Sequence, residues 1–210
     1  HTTESRMWSA DLGDLERAEA VALEAWDAFG HLDCLVNNAA IAKRVHTLDL
    51  TVEDVHHTMD VNYFSPIRMA MALLPRMHER GTGIIVNVSS IAHLQVKRIE
   101  WPVLERRATP KRSRFADYAV TKLMNVLHAK ELARRLAGTR VTTYVLHPGG
   151  VASNIWRALP QPGQWLIKLF LDSNEEGAKT QLYCATAPEL ATATGRYYDK
   201  SREARCNPLA

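Results

Sequence analysis

"GIIVNVSS", Gly83 to Ser90, decides how the rest of the chain is read. Its apolar residues run without alternation, as in a strand covered on both faces, and that points to a parallel sheet between helix layers; a strand with one wet face would alternate. Upstream, Thr51 opens helical spacing through Val55, Met59, Tyr63, Ile67, Met71 and Leu74 to Arg80-Gly81. LDCLVNNA (32–39) before it reads as a short buried strand. Earlier still, Asp14 to Phe29 has helical spacing at Leu15, Ala18, Val21, Ala22 and Ala25, closed by Gly30, and RMWSADL (6–12) reads as the end of another strand. Downstream come a loop-like segment (91–114), a helix over 117–136 ending at Gly138, and the strand VTTYVLHPGG (141–150). A Pro/Gly stretch holding the amphipathic WLIKLFL (165–171) leads to a helix from Asn174 to about Ala187, and GRYYD (195–199) supplies a final strand.

Strands alternating with helices of this length predict an α/β protein with a doubly wound parallel sheet, three layers deep, as one domain over residues 1–210. In such sheets ligands bind beyond the carboxyl ends of the strands. Asn37-Asn38, Ser89-Ser90 and Pro148-Gly149 stand at three consecutive ends of this kind. The helix over 117–136 carries Tyr118 and Lys122 four positions apart, hence on one face. A nearby ammonium favours a phenolate, so Lys122 is expected to lower the Tyr118 pKa and make it an acid/base group.

Composition narrows the class. With 46% hydrophobic and 23% charged residues the chain is an ordinary globular one, and a net charge of +3 gives no field that argues for nucleic acid or an anionic membrane. Lys97, Arg98, Arg106, Arg107, Lys111, Arg112 and Arg114 make the 91–114 loop basic, which is the ordinary character of a solvated loop. Cys34, Cys184 and Cys206 lack ligand spacing, and His46, His56, His57 and His93 lack partners for it, so no metal is expected and the thiols fit a reducing, cytoplasmic address. No apolar run approaches a membrane span, and the start shows no signal-peptide core. The chain begins without Met, which reads as a trimmed or incomplete sequence.

Six motifs in order resemble the short-chain dehydrogenase/reductase family over nearly the whole chain. They are Asp11-Leu12, N-N-A-A at Asn37 to Ala40, Val61-Asn62, N-V-S-S at Asn87 to Ser90, Y-A-V-T-K at Tyr118 to Lys122, and P-G-G-V-A-S at Pro148 to Ser153. The resemblance implies a Rossmann-like NAD(P)-binding domain and roles for particular residues. Tyr118 would exchange the proton at the substrate oxygen, and Lys122 would hold the nicotinamide ribose. Ser90 would bond the same oxygen, and Asn62 would hold a water that links Lys122 to solvent. Asp11 and Leu12 match positions at the adenine, Asn37, Asn38 and Ala39 the segment beneath the adenosine ribose, and Pro148, Gly149, Val151 and Ser153 positions along the nicotinamide.

Two departures stand out. Ala40 replaces the usual glycine of N-N-A-G, and the glycine-rich turn with which the family opens, together with about two βα units, is not in this sequence. Those units bind pyrophosphate at a helix N-terminus and carry the residue that selects NAD or NADP. The expectation is therefore an N-terminally truncated member. The 27 residues between Ser90 and Tyr118, with the Tyr118 helix and the VTTYVLHPG strand, look most like the retinol dehydrogenase-type branch, which implies a hydrophobic alcohol, aldehyde or ketone substrate and tilts the cofactor toward NADP over NAD. Trp156, Leu159 and WLIKLFL would form an apolar lid. The family also implies a homodimer or homotetramer through the Asn62 and Tyr118 helices. The competing reading is a catalytically inactive fragment or a non-enzymatic interaction protein.

Overall fold

A computed structural model describes residues 4–41, 51–99, 101, 114–150 and 173–210. Within them, β1 (Cys34–Asn37), β2 (Gly83–Val88), β3 (Val141–His147) and β4 (Arg196–Asp199) run parallel in chain order, and β5 (Arg202–Glu203) adds an antiparallel edge. The helices are α1 (Leu15–Phe29), α2 (Val52–Met59), α3 (Ser65–Arg80), α4 (Arg114–Arg135) and α5 (Asn174–Thr186).

Local chemistry sets the helix ends. The Asp14 carboxylate accepts from the backbone N–H groups of Glu16 and Arg17, and Gly30 ends α1 in the left-handed region at φ 76°. Thr51 and Asp54 close a reciprocal capping box at α2. Alternate strand residues then divide the core between two faces. On one, Leu35, Ile85 and Val141 meet Ala22 of α1, Ala70, Leu73 and Met77 of α3, and Leu132 of α4. On the other, Val86, Val88, Tyr144, Leu146 and Tyr198 meet Cys184 of α5 with Leu190 and Ala193. Helices thus cover both faces of a mostly parallel sheet, the doubly wound arrangement expected from the alternation.

Four local features differ from the sequence reading. Residues 6–12 form no strand; a strand exists through its ladder, and among the described residues β1 pairs only with β2. Between α2 and α3 lies one π-helical turn, Asp60–Phe64, where a continuous helix was expected. Met71, assigned to the buried stripe, is 61% exposed, and Ala70, Leu73 and Met77 face the core. Within α3 the step of four from Ile67 to Met71 overshoots a turn by about 40°, and the π-turn at Asp60–Phe64 breaks the phase of the series before it, so the stripe read from Val55 does not continue to Met71. Finally β5 follows GRYYD through Lys200 (φ 49°) and Ser201 (φ 56°), whose paired positive φ values suit a tight hairpin turn. Val151, Ser153, Trp156, Leu159 and WLIKLFL lie outside the described residues.

Candidate active site

The parallel strands bring the expected polar ends to one edge of the sheet. Asn37 of β1 and Asn87 of β2 are register partners, in one row with Val145 and Tyr197, and the Asn37 amide donates to Asn87 Oδ1 at 3.0 Å. Ser89-Ser90 and Pro148-Gly149 follow β2 and β3 at the same edge, with Gly149 in the left-handed region at φ 92°.

Helix α4 is pinned across this edge by a reciprocal pair of hydrogen bonds. Lys122 Nζ donates to the Val88 carbonyl at 2.8 Å, and Ser89 Oγ donates back to the Lys122 carbonyl at 2.7 Å. Lys122 is only 2% exposed, and burial pushes its ammonium down to about 8. Tyr118 sits one turn earlier, half-buried, with Lys122 Nζ 5.7 Å from its ring centroid. Ser90 stands in extended backbone at the start of a 3-10 turn, Ile91–Gln95; its hydroxyl accepts from the Ala92 N–H at 3.3 Å and lies near enough to the Tyr118 phenol to pull its pKa down. The expected depression of the Tyr118 pKa by Lys122 is not found: burial pushes the phenol up, and the opposing pull comes from Ser90. The ammonium donates to the Val88 carbonyl, and desolvation of the phenolate is the larger effect on Tyr118.

Asn62 lies in the π-turn and is 1% exposed. Its Oδ1 accepts from the Ile41 N–H at 2.8 Å, while Nδ2 donates to the Ile41 carbonyl at 2.8 Å and to Thr121 Oγ1 at 3.3 Å. The side-chain amide therefore treats Ile41 as a neighbouring strand would, and ties the segment after β1 to α4. Thr121 completes the link by donating to the Tyr118 carbonyl at 2.8 Å.

The expected nucleotide positions are held more lightly. Asp11 Oδ1 accepts from the Gly13 N–H at 2.8 Å, which shapes the turn that carries Leu12. Asn38 accepts from Gln181 of α5 at 3.2 Å, and Asn38, Ala39 and Ala40 are exposed. Four further residues at the site were given no role there by sequence reasoning: Ser89, Thr121, His93 and Asn207. Ser89 and Thr121 sit inside quoted motifs and were legible by position; His93 and Asn207 had no signal, because their partners are backbone carbonyls brought near only by folding. Among the described residues no cluster of three His, Cys, Asp or Glu side chains could hold a metal, and no helix is long and apolar enough to cross a membrane.

The comparisons with known proteins agree with this geometry. The family described as short chain dehydrogenase matches residues 1–103. Dehydrogenase/reductase SDR family member 13 from Bos taurus is 33% identical over 208 residues, which is 95% of this chain and 53% of that protein. Retinol dehydrogenase 12 from Homo sapiens is 31% identical over 210 residues, 95% of this chain and 62% of that one. The chain thus spans between about half and two thirds of the length of these relatives. Among solved structures, a gluconate 5-dehydrogenase from Burkholderia cenocepacia in complex with NADP and tartrate matches the fold with a TM-score of 0.71 at 24% identity, covering 90% of this chain and 71% of that one. The motif order, the sheet and these matches together show that the chain belongs to the short-chain dehydrogenase/reductase family.

Proposed function

We propose that this chain carries the acid/base centre of an NAD(P)-dependent oxidoreductase that interconverts a hydrophobic alcohol with its aldehyde or ketone. The observation that carries the reading is a fully buried Lys122 held by the Val88 carbonyl 5.7 Å from the Tyr118 ring, with the Ser90 hydroxyl near the phenol, at the carboxyl edge of a parallel sheet. The residues present fit a nicotinamide cofactor. An ammonium has three N–H donors, and one Lys122 donor goes to the Val88 carbonyl, which leaves donors for ribose hydroxyls. The cofactor would supply or accept the hydride. In the reducing direction Ser90 Oγ and Tyr118 Oη both bond the substrate carbonyl oxygen, and Tyr118 gives up its phenolic proton as that oxygen becomes an alkoxide. A phenol raised by burial keeps its proton until so basic an acceptor forms, which suits the acid role. The Lys122 cation then stabilises the phenolate, and Asn62 and Thr121 keep α4 in register.

Hydrophobic substrates and a tilt toward NADP over NAD rest on the resemblance to retinol dehydrogenases. Association through α3 and α4 belongs to the same proposal: Phe64 and Met71 are 42% and 61% exposed, and a monomeric sedimentation profile would count against it. The test of the function is hydride transfer from labelled NADPH or NADH to a hydrophobic aldehyde by the chain. Label in the alcohol supports the reading, whereas no transfer with either cofactor supports a non-catalytic interaction role.

A further inference from the structure

The turn that carries Ser90 is gripped by residues far away in sequence. His93 is fully buried, and its ring Nδ1 lies 2.6 Å from the Ser90 carbonyl. The Asn207 side-chain amide, 2% exposed, donates to the His93 carbonyl at 2.7 Å and to the Val96 carbonyl at 2.9 Å, so one residue holds the middle of the turn and the residue that closes it. Asn207 is itself set, because its Oδ1 accepts from the Leu209 N–H at 2.9 Å. Three residues on, the Ala210 carbonyl accepts from Lys130 Nζ of α4 at 2.8 Å. Ala210 also packs with Ala92, Val96, Ala119, Val120, Leu123 and Tyr118 in one apolar cluster. One short segment therefore bonds to the Ser90 turn at one end and to the Tyr118 helix at the other.

We propose that the segment Cys206–Ala210 is a strap that sets the distance between Ser90 and Tyr118, with Asn207 as its positioning residue. The His93 carbonyl already accepts from the Val96 N–H at 3.3 Å within the turn, and a primary amide with two donors can hold that carbonyl and the Val96 carbonyl at once. Asn207 is argued to act through Ser90 and touches no reacting atom. Its removal frees the turn to carry the Ser90 hydroxyl away from the phenol. The proposal rests on Ser90 and Tyr118 as the working pair.

The test is read without turnover, on the full chain. The Tyr118 Cζ resonance of isotope-labelled protein is followed from neutral pH upward in wild type, Ser90→Ala, Asn207→Asp, and the double variant. Asn207→Asp keeps the size and the acceptor but has lost both donors. The strap predicts that Asn207→Asp moves the Tyr118 midpoint upward as Ser90→Ala does, and that it adds nothing in the Ser90→Ala background. An unchanged midpoint in folded Asn207→Asp, or a shift that adds fully to that of Ser90→Ala, would overturn it. Lys130→Met releases the other end of the strap at a part-buried contact, and it is read by the same two criteria should Asn207→Asp not fold. Loss of hydride transfer in Ser90→Ala with no response to the strap variants would remove the strap and spare the catalytic pair.

Discussion

The ends of β1 and β2 lie side by side in one sheet, yet they are built to different standards. After β2, Ser89 and Lys122 are both only 2% exposed and are tied to α4 and to Val88 by short hydrogen bonds. At β1, Val36 is 39% exposed, Asn38 meets a single exposed glutamine, and Met7 upstream is 96% exposed. The difference separates two tasks. A proton-transfer pair works only at hydrogen-bond distance, so its support is buried and redundant; a surface that follows a long nucleotide can be shaped by weaker, more local contacts.

The comparison can be broken at the β2 end first. Tyr118→Phe should lower turnover by about 10²–10⁴-fold, the usual worth of a positioned acid/base group, while leaving the unfolding midpoint nearly unchanged. Steady-state kinetics with a denaturant melt reads both.

Next in size is the cost of burying Lys122. Its pKa falls from 10.5 unfolded to about 8 folded, so between those values the unfolded state binds more protons and stability rises with pH. The contribution should climb by roughly 3 kcal/mol over that window, at about 1.4 kcal/mol per unit. Denaturant unfolding across it should show this rise in wild type relative to Lys122→Met, in which it is absent.

Asn62→Ala leaves both backbone groups of Ile41 without their partner and should cost about 2 kcal/mol or more by the same melts. At the β1 end, Asn37→Ala removes one part-buried hydrogen bond to Asn87 and should cost only about 1 kcal/mol. A loss for Asn37→Ala as large as the roughly 3 kcal/mol tied to Lys122 would erase the distinction between the two ends.

The contrast also explains what was legible in the sequence. β2 was readable because burial on both faces leaves a nearly continuous apolar run, and α1 because Asp14 and Gly30 are chemical start and stop signals. Asn62, Ser90, Tyr118 and Lys122 were found as motif positions, and the fold brings them to one place. The π-turn around Asn62 was not legible, since one extra residue in a turn leaves no compositional trace. The two-residue β5 is too short for a period. The direction of the Tyr118 shift was missed because spacing shows that an ammonium is near, and not how much water the phenol loses. Asn207 was invisible for a related reason: its partners are backbone carbonyls, which no side-chain pattern announces.

The central claim is that Tyr118 and Ser90 are a working acid/base pair, and the most direct measurement is the rate of NADPH- or NADH-dependent reduction of a hydrophobic aldehyde by wild type and by Tyr118→Phe. The account predicts turnover by wild type and a loss of at least about 10²-fold in the variant. A variant as fast as wild type, or a folded wild-type chain that transfers no hydride from either nucleotide, would contradict it.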